Sequence, residues 1–138
     1  MNSLVRILFL ALLCCFSCKT EKGKGALADG TYSGRSCAQY TNEPFIGTAT
    51  IEVKDHNIVK VDFAINDTLN NEVFGPDYEK HYPDNELYRE QSRNDWQGVL
   101  HYPDELLKKQ NIDSVDAVSG ATWSYNIFRA SVKNALTK

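Results

Sequence analysis

Apolar and polar residues alternate most cleanly in the first half of the chain. From Ile46 to Lys54, Ala49, Ile51 and Val53 fall on one side and Thr48, Thr50, Glu52 and Lys54 on the other, the period-two mark of a half-buried strand. Asp55-His56-Asn57 is a turn cluster. Ile58 to Ile65 then alternates again, with Val59, Val61 and Phe63 on one parity and Ile58, Lys60, Asp62 and Ala64 on the other. These two runs predict a hairpin. Thr31 to Ser36 predicts a strand before it, with Tyr32 turned inward, and Cys37 to Pro44 an irregular polar connection. Near the C-terminus, Phe128, Val132, Ala135 and Leu136 recur at i, i+4, i+7 and i+8, one face of a helix running from about Trp123 to Leu136.

The middle is less regular. Asn66 to Asp95 is polar and interrupted by Pro76 and Pro83, so it reads as an excursion from the body with a short helix around Asn85 to Arg93. Pro103 suits the first position of a second short helix, Asp104 to Gln110. Asp104 and Glu105 would sit at its positive end, Lys108 and Lys109 at its negative end, and Leu106 and Leu107 against the core. Ile112 to Val118 reads as a strand or extended lead-in to the last helix. The fold class expected is α+β: a small twisted antiparallel sheet with the C-terminal helix and one shorter helix packed on it.

Composition narrows the picture. The chain has 138 residues, 42% hydrophobic and 24% charged, which is enough for one domain with a modest core. A net charge of −3 with no basic cluster in the body argues against nucleic acid as a partner. Three of the four cysteines, Cys14, Cys15 and Cys18, crowd the N-terminal apolar segment, and Cys37 alone lies in the body. Cys15-x-x-Cys18 is therefore a poor metal or redox pair. Asp77, Glu79, His81 and Asp84 lack a recognised ligand spacing, so no metal is expected. His56 reads as a turn residue.

Met1 to Ser17 reads as an export signal, with Arg6 before the apolar run Ile7 to Leu13, a run too short to cross a bilayer as a normal helix. Leu-Leu-Cys-Cys-Phe-Ser-Cys resembles a bacterial lipoprotein signal. The resemblance implies cleavage before Cys18 and its lipidation, with Cys14 and Cys15 as alternatives and an uncleaved anchor or plain secretory signal as the competing reading. Residues 18–28 form a polar, Lys- and Gly-rich tether, and residues 29–138 the domain.

The most informative stretch is Asp116-Ala117-Val118-Ser119-Gly120-Ala121-Thr122. It places small residues where an extended segment feeds the last helix. Amides there lack intrahelical partners and the helix dipole adds positive character, so an anion such as a phosphate is stabilised. Gly120 permits close backbone approach or positive φ. Taken alone, the same residues read first as a turn with Thr122 or Ser124 as the helix N-cap.

Asp116-x-x-Ser119-Gly120-Ala121-Thr122 resembles the D-x-x-[ST]-G-A-T signature of the FMN-binding domain family, which includes the flavin-carrying subunits of sodium-pumping quinone reductases. Asp29-Gly30-Thr31-Tyr32-Ser33-Gly34 is similar to the family's D-G-T-Y-x-G opening, and Gly47 to Val53 and Ile58 to Phe63 to its next strands. Gln110 matches the lead-in to the motif. The resemblance implies FMN joined by a phosphoester to Thr122 through a separate FAD-dependent flavin transferase, with Ser119, Gly120 and Ala121 shaping the loop. Asp116 would either brace the turn or assist attachment. It also implies an extracytoplasmic electron carrier, held at a membrane by its lipid and exchanging electrons with membrane redox partners. Reversible FMN binding within a reductase, and a structural lipoprotein with a degenerate domain, are the competing expectations. Tyr78, Tyr82, Tyr88 and Trp96 are rings of the kind that stack on an isoalloxazine and equally of the kind that fill a core. Ser119 lacks the G-x-S-x-G context and no His has a triad context, so a carrier is favoured over an enzyme with its own substrate.

Overall fold

Strand pairing starts from the hairpin. The computed structural model describes residues 25–37 and 44–137. The signal segment, Cys18 and most of the tether lie outside the described residues. Strands β1 (Gly30–Arg35), β2 (Phe45–Lys54), β3 (Asn57–Asp67) and β4 (Glu72–Val73) form one antiparallel sheet in the order β1-β2-β3-β4. Asp55 and His56 both take positive φ, which suits the right-handed twist of a two-residue hairpin. Ala49, Ile51 and Val53 are buried as the alternation predicts.

The parity of β3 changes along its length. Ile51 pairs with Val61 and Val53 with Ile58, so one extra residue is accommodated between them. This bulge turns Ile58 inward and leaves Val59 exposed, whereas the uninterrupted alternation puts Val59 with Val61 and Phe63. Gln110 seals the site: its Oε1 accepts from Ile58 N at 2.7 Å and its Nε2 donates to Ile58 O at 2.9 Å. Gln110 also ends the preceding helix in a left-handed conformation, its N–H donating to Leu106 O. The residue that leads into the D-x-x-S-G-A-T stretch thus ties sheet to helix.

The segment read as two short helices is one long helix, α1 (Glu86–Lys109), of 24 residues, longer than the 15-residue α2 (Thr122–Leu136). Pro103 lies inside α1 instead of opening a second helix. It removes one backbone donor, and the helix continues because Tyr102 and Leu106, on either side, are fully buried. Asn85 caps α1 by accepting from Tyr88 N at 3.1 Å. Ile112–Ser114 is a single 3₁₀ turn followed by extended chain, with no strand between α1 and α2.

Both helices pack on the sheet and on each other. One core joins Ile51, Val53 and Val61 to Tyr102, Leu106, Phe128 and Val132. A second joins Ile65, Phe74, Tyr78, Val99 and Ile127, with Phe45, Trp96 and Trp123 packed against it. The Asn66–Asp95 stretch is therefore part of the body. Contact between layers depends on glycine: a Cβ on Gly34 would lie 2.8 Å from Ala135 Cα and would collide with Ser131 O and Ala135 N.

Residues 25–27 lie beside the C-terminal end of α2. Leu27 O is 2.9 Å from His56 Nδ1, and Asp29 Oδ1 accepts from His56 N at 3.0 Å. Gly25, Leu27 and His56 line a hollow together with Gln110, Lys133 and Leu136. Thr122 starts the same helix at its other end.

Asp67 closes β3. Its Oδ1 accepts from Leu69 N at 2.8 Å and Asn70 N at 3.1 Å, and its Oδ2 from Asn70 Nδ2 and Tyr78 OH, both at 2.7 Å. Burial pushes this carboxyl up, but the Tyr78 and Asn70 hydrogen bonds outweigh it and hold it at about 2, below its ordinary 3.8. A depressed carboxyl stabilises the fold above its unfolded value, and that stability is lost as pH falls from about 4 toward 2. Tyr78→Phe is expected to cost about 1–2 kcal/mol at neutral pH and to lessen this acid dependence. Urea melts at pH 7 and pH 3 read both effects, and an unchanged midpoint at both would reject the assignment.

Candidate functional site

The stretch Val118 to Ser124 is gripped from beneath by one face of α1. Gly98 brings the helices together: a Cβ there would stand 2.9 Å from Ala121 Cβ and from Ser124 Oγ. Tyr102 OH accepts from Val118 N at 3.2 Å and donates to Ala121 O at 2.8 Å. Gln91 Nε2 donates to Gly120 O at 2.9 Å. Gly120 takes φ of +81°, a left-handed conformation that favours glycine, and Asn94 Nδ2 is 3.0 Å from where a Cβ would stand. Ala121 is 1% exposed and faces Gly98, which leaves no room for a larger side chain.

With Ala121 buried against Gly98, Thr122 faces solvent as the first residue of α2. Neither Thr122 nor Ser124 is the N-cap. That position is Ala121, and no side chain from the local sequence caps the helix. The capping group comes from α1. Asp95, 3% exposed, accepts from Ser124 N at 3.1 Å and Ser124 Oγ at 2.9 Å through Oδ1, and from Gln91 Nε2 at 2.6 Å through Oδ2. A buried carboxylate at a helix N-terminus is favoured by the dipole. It also takes the Ser124 amide, so helix geometry leaves the Thr122 and Trp123 amides as the unpaired donors of the first turn.

Ser119 and Gly120 are exposed beside Thr122. Asp116 stands apart from the turn, its side chain 90% exposed and paired with Lys109 Nζ at 2.9 Å. The structure brings Ser119, Gly120, Ala121 and Thr122 together and leaves Asp116 outward, free of the turn's backbone amides.

One residue beyond Thr122, an open cleft of about 460 Å³ begins at Trp123. Its walls are Phe45, Phe74, Tyr78, Tyr82 and Trp123 on one side and Tyr88, Gln91, Ser92 and Asp95 of α1 on the other. The aromatics meet edge to face, with Phe45 and Trp123 at 5.1 Å and 88° and Phe74 and Trp123 at 5.2 Å and 66°. Of the rings noted in the sequence, Tyr78, Tyr82 and Tyr88 line the cleft, and Trp96 packs behind it. Sequence reading missed Asp95, Gln91 and Ser92. Their only signal was polar residues at i, i+1 and i+4 within a stretch mistaken for an excursion. The acidic and His residues nearby are used elsewhere, Glu79 with Arg93 at 2.6 Å and His81 with Glu72. Among the described residues no group of three His, Cys, Asp or Glu side chains could hold a metal ion.

An α+β domain with a free hydroxyl at an anion-favouring helix end, bordering an aromatic cleft, is built for a phosphorylated, planar cofactor. Residues 44–137 match the FMN-binding domain family, and the chain belongs to that family. FMN is accordingly its cofactor. Among solved structures, the CPE2226 protein from Clostridium perfringens has the same fold, with a TM-score of 0.62 at 20% identity over 79% of this chain and 86% of that one. A protein from Clostridium thermocellum aligns with a TM-score of 0.42 at 21% identity over 79% and 92%. None of the curated proteins matches the chain. The residues present fit the group: an exposed hydroxyl at a helix N-terminus, first-turn amides, aromatic walls, and a buried Ser92 Oγ without a hydrogen-bond partner.

Proposed function

We propose that this domain carries FMN through a phosphoester on the Thr122 hydroxyl and relays electrons between redox partners outside the cytoplasm. The observation that carries the reading is the position of Thr122. It is an exposed hydroxyl on the first residue of α2, directly after the buried Ala121 that fixes the turn against α1, and it stands where helix geometry leaves the first-turn amides unpaired. Those amides and the helix dipole offset the phosphate charge; Gly120 keeps the loop close enough to offer them. FMN supplies one- and two-electron chemistry when bound, and the protein supplies attachment, orientation and access.

Covalent attachment suits a compartment in which lost flavin is not easily recaptured. Attachment requires a separate FAD-dependent flavin transferase, and the outward Asp116 is open to such an enzyme. Lipid on Cys18 holds the protein at a membrane. Among the described residues no helix is long and apolar enough to cross one.

The test is the intact mass of mature protein from a host with a flavin transferase. The expected species begins at Cys18, carries acyl chains there, and carries one FMN on Thr122. A bare chain without bound chromophore overturns the reading, and flavin that leaves on denaturation overturns its covalent part.

A further inference from the structure

Packing does not account for the hydroxyl of Ser92. The side chain is 5% exposed, and its Oγ has no hydrogen-bond partner. A buried unpaired hydroxyl costs about 1–3 kcal/mol, and alanine would suit the helix interior better. Yet Ser92 lies on the wall of the cleft, on the same face of α1 as Tyr88, Gln91 and Asp95.

Three neighbouring polar groups around the cleft are engaged. Gln91 Nε2 bonds Asp95 Oδ2 and Gly120 O, Asp95 Oδ1 holds Ser124, and across the cleft Tyr78 OH donates to Asp67. Ser92 Oγ has its hydrogen-bonding capacity free, in a cleft whose opposite wall is aromatic. The cleft is thus aromatic on one side, and the α1 wall opposite carries a buried hydroxyl without a hydrogen-bond partner. An isoalloxazine has the same asymmetry, with an apolar benzenoid end and a hydrogen-bonding pyrimidine end. The cleft also begins at Trp123, the residue after the attachment point.

We propose that this cleft seats the isoalloxazine ring, and that Ser92 Oγ hydrogen-bonds the ring's pyrimidine edge. The proposal rests on FMN being the ligand of the site, and it assigns Ser92 a ligand-binding role. The burial cost of the hydroxyl is offset only when the ring is in place. Ser92→Ala therefore separates ligand binding from stability in opposite directions.

The test uses the Thr122→Ala protein, which cannot be loaded at that hydroxyl, titrated with free riboflavin and followed by quenching of flavin and tryptophan emission. Riboflavin is expected to bind. Adding Ser92→Ala is expected to weaken binding about fivefold, the loss of one hydrogen bond, while the flavin-free protein melts at the same or a higher temperature. In protein loaded at Thr122, Tyr88→Leu is expected to raise the attached flavin's emission by opening the cleft. The proposal is overturned by no riboflavin binding up to its solubility limit, by equal affinity with and without the Ser92 hydroxyl, or by a lower melting temperature for the Ser92→Ala protein. An FMN adduct on Thr122 with the emission of free FMN leaves the attachment standing and sinks the ring seat. Ser92-dependent riboflavin binding without any adduct does the reverse.

Discussion

Thr122→Ala abolishes the covalent flavin and leaves the fold intact; this is the expected result with the largest functional effect. The side chain is exposed and makes no hydrogen bond within the described residues, and the helix it begins is capped by Asp95. Its loss should change stability by less than about 0.5 kcal/mol, the usual range for a surface position. Fluorescence of the denatured band on a gel, from cells expressing a flavin transferase, reads the adduct, and a urea melt reads the fold. Thr122→Ser keeps a hydroxyl at the same place and should retain part of the label. A fluorescent band that survives Thr122→Ala would move the attachment point elsewhere.

Gly34→Ala should cost about 3 kcal/mol or more, at the upper end of overpacking effects, and is the largest expected effect on stability. The added methyl would meet backbone atoms of Ser131 and Ala135 in α2, which no rotamer change can move aside. Relief requires α2 to back away from β1, and α2 also contributes Phe128 and Val132 to the main core. A total stability of about 5–15 kcal/mol for a domain of this kind leaves little reserve. Chemical denaturation measures the change, and a loss below about 1 kcal/mol would show that the two elements are not in hard contact.

The elements that sequence displayed best are those whose pattern is local. The hairpin follows from the alternation of β2 and the turn at Asp55-His56, and α2 from Phe128, Val132 and Ala135 on one face. Loop chemistry was also legible, because Gly120 and Ala121 are small for reasons that act within a few residues and across to α1. α1 was hidden by its own function. Its buried face carries Ser92, Asp95 and Gly98 where a core helix ordinarily shows large apolar residues, and Pro103 imitates a start signal. Polar residues on that face cap α2 and line the cleft, so they break the hydrophobic period that would have announced the helix. The bulge at Ile58 was invisible for a different reason, since it depends on Gln110 arriving from the end of α1.

Gly25 and Leu27 lie beside His56 at the foot of α2, so a lipid on Cys18, as proposed above, would hold the domain on a leash at that end. The 15 residues of α2 separate that foot from the Thr122 hydroxyl by about 22 Å. From a lipid on Cys18, as proposed above, the seven residues to Gly25 reach at most about 24 Å. Pulled taut with α2 in line with it, the leash would carry the yellow pole at most about 45 Å off the bilayer. Electrons from within the membrane would then arrive only when the domain tips over, or through a donor that stands as tall as the leash allows.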